Sequence, residues 1–177
     1  MGAKCFECGS SLKISKDKPY NYRESGLDNI ILVGIKQSYC SKCKETFVTI
    51  SKVEVLHRAI GKTICCKKAL LDAGEIKFLR KELHLKGKEF ARSLGITPET
   101  VSRWENNNQT ISEGEDRLIR TLYMMFVSEQ VEEVVHQDIL KLFSSLPLKR
   151  KRLTRKPKIK LSPVDWLDEH QLHFCKA

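Results

Sequence analysis

Two rhythms of apolar residues divide this chain. Up to about residue 60 they come in short runs broken by polar turns: Tyr20-Asn21-Tyr22, then Ile30 to Ile35, then Phe47-Val48-Thr49-Ile50. β-Branched and aromatic residues grouped around glycine predict two or three short strands between residues 20 and 35, and the 47–50 run predicts one more. From residue 72 onward the apolar spacing becomes three and four, as on the buried face of a helix.

Helix boundaries are written in the polar residues. Asp72-Ala73-Gly74-Glu75 is a capping-box pattern, and Ile76, Phe78, Leu79 and Leu83 follow it at helical spacing. A second short helix runs from Lys86 to Leu94, with Phe90, Ala91 and Leu94 inward, and Gly95 ends it. Thr97 then caps a third helix with Pro98 at its first position, where a missing N–H costs nothing. Val101 and Trp104 turn inward, which leaves Glu99, Thr100, Ser102 and Arg103 outward. Ser112-Glu113-Gly114-Glu115 opens a further helix carrying Leu118, Ile119 and Leu122. Beyond it, Val127, Val131, Val134, Val135, Ile139, Leu142, Phe143 and Leu146 form a stripe too apolar to stand alone in water. That stripe either pairs with a second copy or folds back over its own domain, sealed by Trp166 and Leu167. A closing apolar patch, Leu161 to Leu167, suits a short docking helix capped at Ser162.

Charge separates one more segment. The chain has 177 residues and a net charge of +10, and eight cations with no acid fall within residues 147–160: Lys149, Arg150, Lys151, Arg152, Arg155, Lys156, Lys158 and Lys160. Such a block attracts polyanions, or serves only as a solvated tail. No run of 18 apolar residues exists and no apolar leader precedes Cys5, so a cytoplasmic protein with no membrane partner is expected.

Cysteine spacing supplies the candidate chemistry. Cys5/Cys8 and Cys40/Cys43 are two C-x2-C pairs, 31 residues apart. Each is the right size for a turn that aims two thiolates at one ion, and two such turns complete a tetrahedral four-sulfur site that prefers zinc. A redox-active pair or an iron–sulfur centre shares this spacing. Four protein ligands leave no position for water, so one structural Zn2+ per chain is expected and no enzyme is implied. Stripping the metal should unfold residues 1–60 first and leave the helices standing. Ile64 and Leu70 mark the stretch around Cys65-Cys66 as a linker helix, with the cysteines as buried or idle thiols or as a redox or second-metal pair.

The fold class expected is therefore α+β. A small zinc-bound β module (1–60) and a linker (61–71) precede an all-α, lambda-repressor-like helix-turn-helix domain with a dimerising helix (72–146). A helical extension and basic tail (147–177) follow. Arg103 has the reach to pair with guanine and Thr100 to touch a thymine methyl, as recognition-helix residues do in the major groove.

Leu79-Arg80-Lys81, Phe90-Ala91, Leu94-Gly95-Ile96 and Val101-Ser102-Arg103-Trp104-Glu105-Asn106 resemble the Cro/repressor-like helix-turn-helix class. Together with the cysteine pairs, Glu24-Ser25-Gly26-Leu27 and Asp116-Arg117-Leu118-Ile119-Arg120, the chain resembles the MqsA/YgiT-type zinc-finger and helix-turn-helix family over about residues 4–125. The resemblance implies a type II antitoxin: a zinc module, ligated by Cys5, Cys8, Cys40 and Cys43, that binds a small ribonuclease toxin. Its helix-turn-helix represses its own operon as a homodimer on palindromic DNA. It places DNA contacts at Glu99 and Arg103, with Thr97, Thr100 and Ser102 as neighbours; Lys88 and Asn107, where the chain departs from the residues usual in the family, are expected to join them. The dimer seam expected is Val127, Val131, Val134, Ile139 and Leu142, fixing two recognition helices about 34 Å apart. The other readings are a protein-interaction adaptor or inhibitor that uses the zinc module, and a redox-responsive regulator that uses Cys65-Cys66.

Overall fold

The computed structural model describes residues 4–16, 18–127 and 156–167. The broken apolar rhythm becomes five short strands: β1 (Leu12–Ser15), β2 (Tyr20–Asn21), β3 (Ile30–Leu32), β4 (Gln37–Cys40) and β5 (Thr46–Val48). Five helices follow: α1 (Val53–Cys66), α2 (Ala73–Glu82), α3 (Gly87–Leu94), α4 (Pro98–Glu105) and α5 (Glu113–Val127). The chain then returns as β6 (Ile159–Leu161) and a four-residue helix, α6 (Val164–Leu167). A β-rich N-terminal part with a cysteine cluster, followed by helices, is the α+β architecture expected.

The strands form two separate sheets. An outer sheet, β1-β4-β5, is antiparallel throughout, with Leu12 opposite Cys40 and Gln37 opposite Val48. An inner sheet, β2-β3-β6, pairs β2 antiparallel to β3 and β6 parallel to β3, with Ile30, Ile31 and Leu32 opposite Ile159, Lys160 and Leu161. β3 is buried along its whole length, as a strand covered on both faces should be. Tyr22, Leu27, Ile30, Leu32 and Ile35 join the apolar residues of α1, α2 and α5 in one continuous core. The inner sheet is thus packed with the helices, whereas the outer sheet carries the cysteines.

Two expectations need revision here. The linker drawn at 61–71 opens as the helix expected around Cys65-Cys66, but the 60/61 boundary falls inside it: α1 runs through and buries Leu56, Ala59, Ile60, Gly61, Ile64 and Cys65. At Gly61 a Cβ would lie 2.1 Å from the Tyr123 hydroxyl. A close crossing of α1 and α5, not chain flexibility, requires that glycine. Secondly, the closing patch docks as expected, with Trp166 2% exposed and α6 against α1, but a strand precedes it. At Ser162 the capping is reversed: its amide and hydroxyl donate to Asp165 Oδ2 at 2.6 and 2.8 Å.

Both capping boxes form. Asp72 accepts from the amides of Gly74 and Glu75 while Glu75 accepts from Asp72 N–H at 2.8 Å. Ser112 and Glu115 do the same for α5. The last-named family signature proves to be structural. Asp116 and Arg120, both fully buried, pair one turn apart on α5. Arg120 also donates to the carbonyls of Ile64, Cys65, Lys67 and Ala69, and Asp116 accepts Leu71 N–H at 2.8 Å. The pair therefore closes the C-terminus of α1, whose last carbonyls have no partner within the helix. A second tie runs from Tyr22 Oη to His57 Nε2 (2.8 Å) and from His57 Nδ1 to Glu82 Oε1 (2.9 Å), joining inner sheet, α1 and α2.

Glu75 is nearly inaccessible and pairs with Lys67. Burial, partly offset by Lys67, pushes its carboxyl up from 4.5 to about 7. A buried acid with a raised pKa favours folding while protonated, and this contribution fades as pH rises from the unfolded to the folded value. The Glu75→Gln variant should therefore gain stability relative to the parent as pH increases from 5 to 8. Urea midpoints across that range measure it, and parallel pH profiles for the two proteins would refute it.

Candidate metal centre and nucleic-acid interface

The four cysteines expected to bind metal are brought together. The sulfurs of Cys5, Cys8, Cys40 and Cys43 all lie within 4.8 Å of one another, and Cys8 Sγ to Cys40 Sγ is 3.6 Å. Tetrahedral zinc with bonds of ~2.3 Å sets its sulfurs about 3.8 Å apart, so the set fits. Two equivalent turns build it. In the first, Cys5 N–H donates to Ser10 O (2.8 Å) and Gly9 N–H to Cys5 O (2.9 Å). In the second, Cys40 N–H donates to Glu45 O (2.9 Å) and Lys44 N–H to Cys40 O (2.9 Å). The residue after each pair is left-handed, Gly9 at φ 70° and Lys44 at φ 64°, so the second turn accepts a conformation that β-carbons disfavour. The cluster is suited to a single zinc ion per chain, held by thiolates alone.

Phe6 stands 89% exposed in the first turn and meets Phe47 of β5 edge-on at 6.1 Å. Ile14 and Tyr39 of the same outer sheet are also exposed. Phe6 carries no signal in the C-x2-C spacing, which concerns the two thiols alone.

Helices α3 and α4 form the helix-turn-helix. Gly95 closes α3, and Thr97 Oγ1 accepts Thr100 N–H at 3.3 Å to open α4. Val101 and Trp104 are buried at 2% and 1%. Thr97, Glu99, Ser102 and Arg103 are exposed, whereas Thr100, expected outward with them, is half-buried. Lys88 and Asn107 are exposed as well, and Asn107 takes the left-handed turn at φ 66°. Arg80 fixes α4 to α2 by a forked pair with Glu105, at 2.5 and 3.0 Å, and also donates to Leu85 O. The Glu99 carboxyl is held below its usual range by its own backbone amide, then by the Thr97 hydroxyl and the cations of Arg103 and Lys88. It is therefore an anionic acceptor at neutral pH.

A groove of about 680 Å³ runs between α2, the start of α3 and α4, lined by Lys77, Lys86 and Lys88 together with Ser102 and Asn106. Lys77 and Lys86 are additions to the expected set. Their signal was present, since both lie one turn or less from Lys88 or Arg80 on the helices flanking the motif.

Other expected residues are placed differently. Lys156 pairs with Asp28 (3.3 Å) and Asp72 (3.2 Å), and is thereby engaged within the chain. Val127 is half-buried against the core. Val131, Val134, Ile139 and Leu142 of the expected seam, and Lys149, Arg150, Lys151, Arg152 and Arg155 of the basic block, lie outside the described residues. Cys65 is a free thiol with no exposure, pushed up to about 12 by burial, which leaves little thiolate for redox chemistry. Cys66 is disulfide-bonded, and not to Cys65. Among the described residues no helix is long and apolar enough to cross a membrane.

Comparison with curated proteins finds no match. A family model described as the antitoxin component of bacterial toxin-antitoxin systems, MqsA, matches residues 3–134, which include the four-cysteine centre and every helix from α1 to α5. That match spans most of the chain. This is an antitoxin family, not an enzyme family, and the protein belongs to it.

Proposed function

We propose that this protein is a sequence-specific DNA-binding repressor, an antitoxin-like autoregulator that reads its own operator as a homodimer and also holds a small toxin. The observation that carries this reading is the division of α4. One face is locked into the core by Val101 and Trp104, while Thr97, Glu99, Ser102 and Arg103 stand outward on a helix fixed by the Arg80–Glu105 fork. In this reading Arg103 pairs with guanine, Glu99 accepts from cytosine N4, and Lys77, Lys86 and Lys88 take phosphates. Leu118 and Met125, 44% and 58% exposed and seven residues apart on one face of α5, offer apolar surface to a second copy. Exposed Phe6, backed by half-buried Phe47, favours the zinc module as the toxin-binding part.

Arg103→Ala should weaken binding to the operator by about 1–3 kcal/mol and relax the choice of base, while Lys86→Ala should weaken all DNA about equally and flatten the salt dependence. Titration of the purified protein onto its own promoter region at several salt concentrations measures both. No preference for that region over random DNA would sink the repressor reading.

A further inference from the structure

A groove of about 510 Å³ opens between residues of the inner and outer sheets. Tyr20 and Tyr22 reach it from β2 and the residue after it, Phe47 and Val48 from β5, and Ile50 from the connection into α1. Glu24, exposed in the single helical turn Arg23–Ser25, is the one charged residue among the described lining. Neither the four-cysteine centre nor the DNA-facing helix uses these side chains.

Three aromatic rings beside one accessible carboxylate select for a particular guest. An anion is repelled by Glu24, and a purely apolar guest would strip water from that carboxylate without replacing it. A cation on an apolar stem meets both demands, since ring faces attract positive charge and the carboxylate pairs with it. The chain has 32 lysines and arginines, yet none lines the groove among the described residues; Arg23 and Lys52 are close in sequence but are not part of its walls. Glu24 likewise pairs with no cation among the described residues. The Tyr20 hydroxyl donates to Glu24 Oε1, and this bond pushes that hydroxyl up to about 12, so it stays protonated and holds the carboxylate in place at neutral pH. Tyr22 bonds His57 through its own hydroxyl and offers the groove its ring alone. Phe6, exposed and edge-on to Phe47, continues the aromatic surface outside, as around the pocket of an interface anchor.

We propose that this groove receives an arginine side chain of a partner polypeptide, with its stem on Val48 and Ile50 and its guanidinium against the aromatic rings and Glu24. Arginine suits the site better than lysine, because its planar, weakly hydrated head both stacks on a ring and forks to a carboxylate. The proposal rests on the reading that the N-terminal part of the molecule holds a partner protein, and it names the chemistry by which that part would anchor one.

NMR titration of the full-length, zinc-loaded protein with capped Gly-Arg-Gly, and with the same peptide carrying norleucine in place of arginine, tests it. The arginine peptide should give saturable shifts centred on Tyr20, Glu24, Phe47 and Val48, and should bind at least about fivefold more tightly than the norleucine peptide. Glu24→Gln is exposed, and its side-chain carbonyl can still accept from Tyr20, so the fold should be kept. It should weaken the arginine peptide about threefold and leave the norleucine peptide unchanged. Equal or tighter binding of norleucine overturns the proposal, as do shifts that do not saturate or that centre elsewhere. A folded Glu24→Gln protein with unchanged arginine affinity overturns it as well. The comparison of the two peptides needs no variant, so a misfolded Glu24→Gln would leave it intact. Co-purification with a co-expressed toxin tests the partner-holding reading separately: its failure beside a positive peptide result sinks that reading and keeps the arginine site, and the converse sinks the site alone.

Discussion

Arg120→Met is expected to destabilise the protein by about 3–5 kcal/mol, a large part of the stability of an ordinary domain. The side chain is fully buried, and four backbone carbonyls as well as Asp116 depend on it. Methionine fills much of the volume but donates nothing. Asp116 is left a buried anion without its guanidinium, and the last carbonyls of α1 lose their partners. Arg120→Lys should recover only part of the loss, because one ammonium cannot reproduce a planar fork reaching Asp116, Lys67 and Ala69 together. The double variant Arg120→Met with Asp116→Leu should be more stable than Arg120→Met alone, since it removes the stranded charge. It should remain below the parent, because Leu71 N–H and the carbonyls stay unpaired. Denaturant midpoints with unchanged m-values measure this cycle. A loss under about 1 kcal/mol for Arg120→Met would show that the α1 terminus is satisfied without it.

Removal of zinc is expected to melt the outer sheet and spare the inner one. Structural zinc contributes about 10–16 kcal/mol of binding energy to modules of this kind, more than a three-stranded sheet of short strands secures by burial. Besides Cys5 and Cys40, the outer sheet buries little apolar surface, whereas Tyr22, Leu27, Ile30 and Leu32 share their core with the helices. The unfolding unit should therefore be residues 4–16 and 37–48, not the whole of 1–60. Hydrogen exchange after chelation should show protection lost in β1, β4 and β5 and kept in β3, α1 and α2. Loss of β3 and α1 together with β1 would mean that the metal supports the entire core. Cys40→Ser should reproduce the chelated pattern.

Elements governed by neighbours in sequence were legible. The two C-x2-C turns, the boxes at Asp72/Glu75 and Ser112/Glu115, and the sequence Gly95-Ile96-Thr97-Pro98 each act within a few residues. The structure places them as expected. The exposed set on α4 followed from Val101 and Trp104 by helical geometry alone. What escaped was non-local. Three residues, Ile159 to Leu161, have no periodicity to announce a strand, and their partner lies far away at Ile30 to Leu32. Lys156 looked like its basic neighbours, and only the positions of Asp28 and Asp72 show that it is engaged inside the molecule. The module boundary at residue 60 falls inside α1, and the need for Gly61 comes from Tyr123 on another helix, which no local pattern announces.

The parallel pairing of β6 with β3 also has a consequence for how the chain is made. Ribosomes release a polypeptide from its N-terminus, and about 130 residues separate the two strands. At ~5–20 residues per second, β3 waits about 6–25 s for its neighbour. Helices α1 to α5 form from local contacts in that interval, far faster than synthesis proceeds. β3 meanwhile keeps one edge unpaired, with Ile30, Ile31 and Leu32 along it, and an open apolar edge of that kind invites pairing with other nascent chains. The final dozen described residues therefore act as a closing stitch, and the vulnerable period of this protein's life is the one before they emerge.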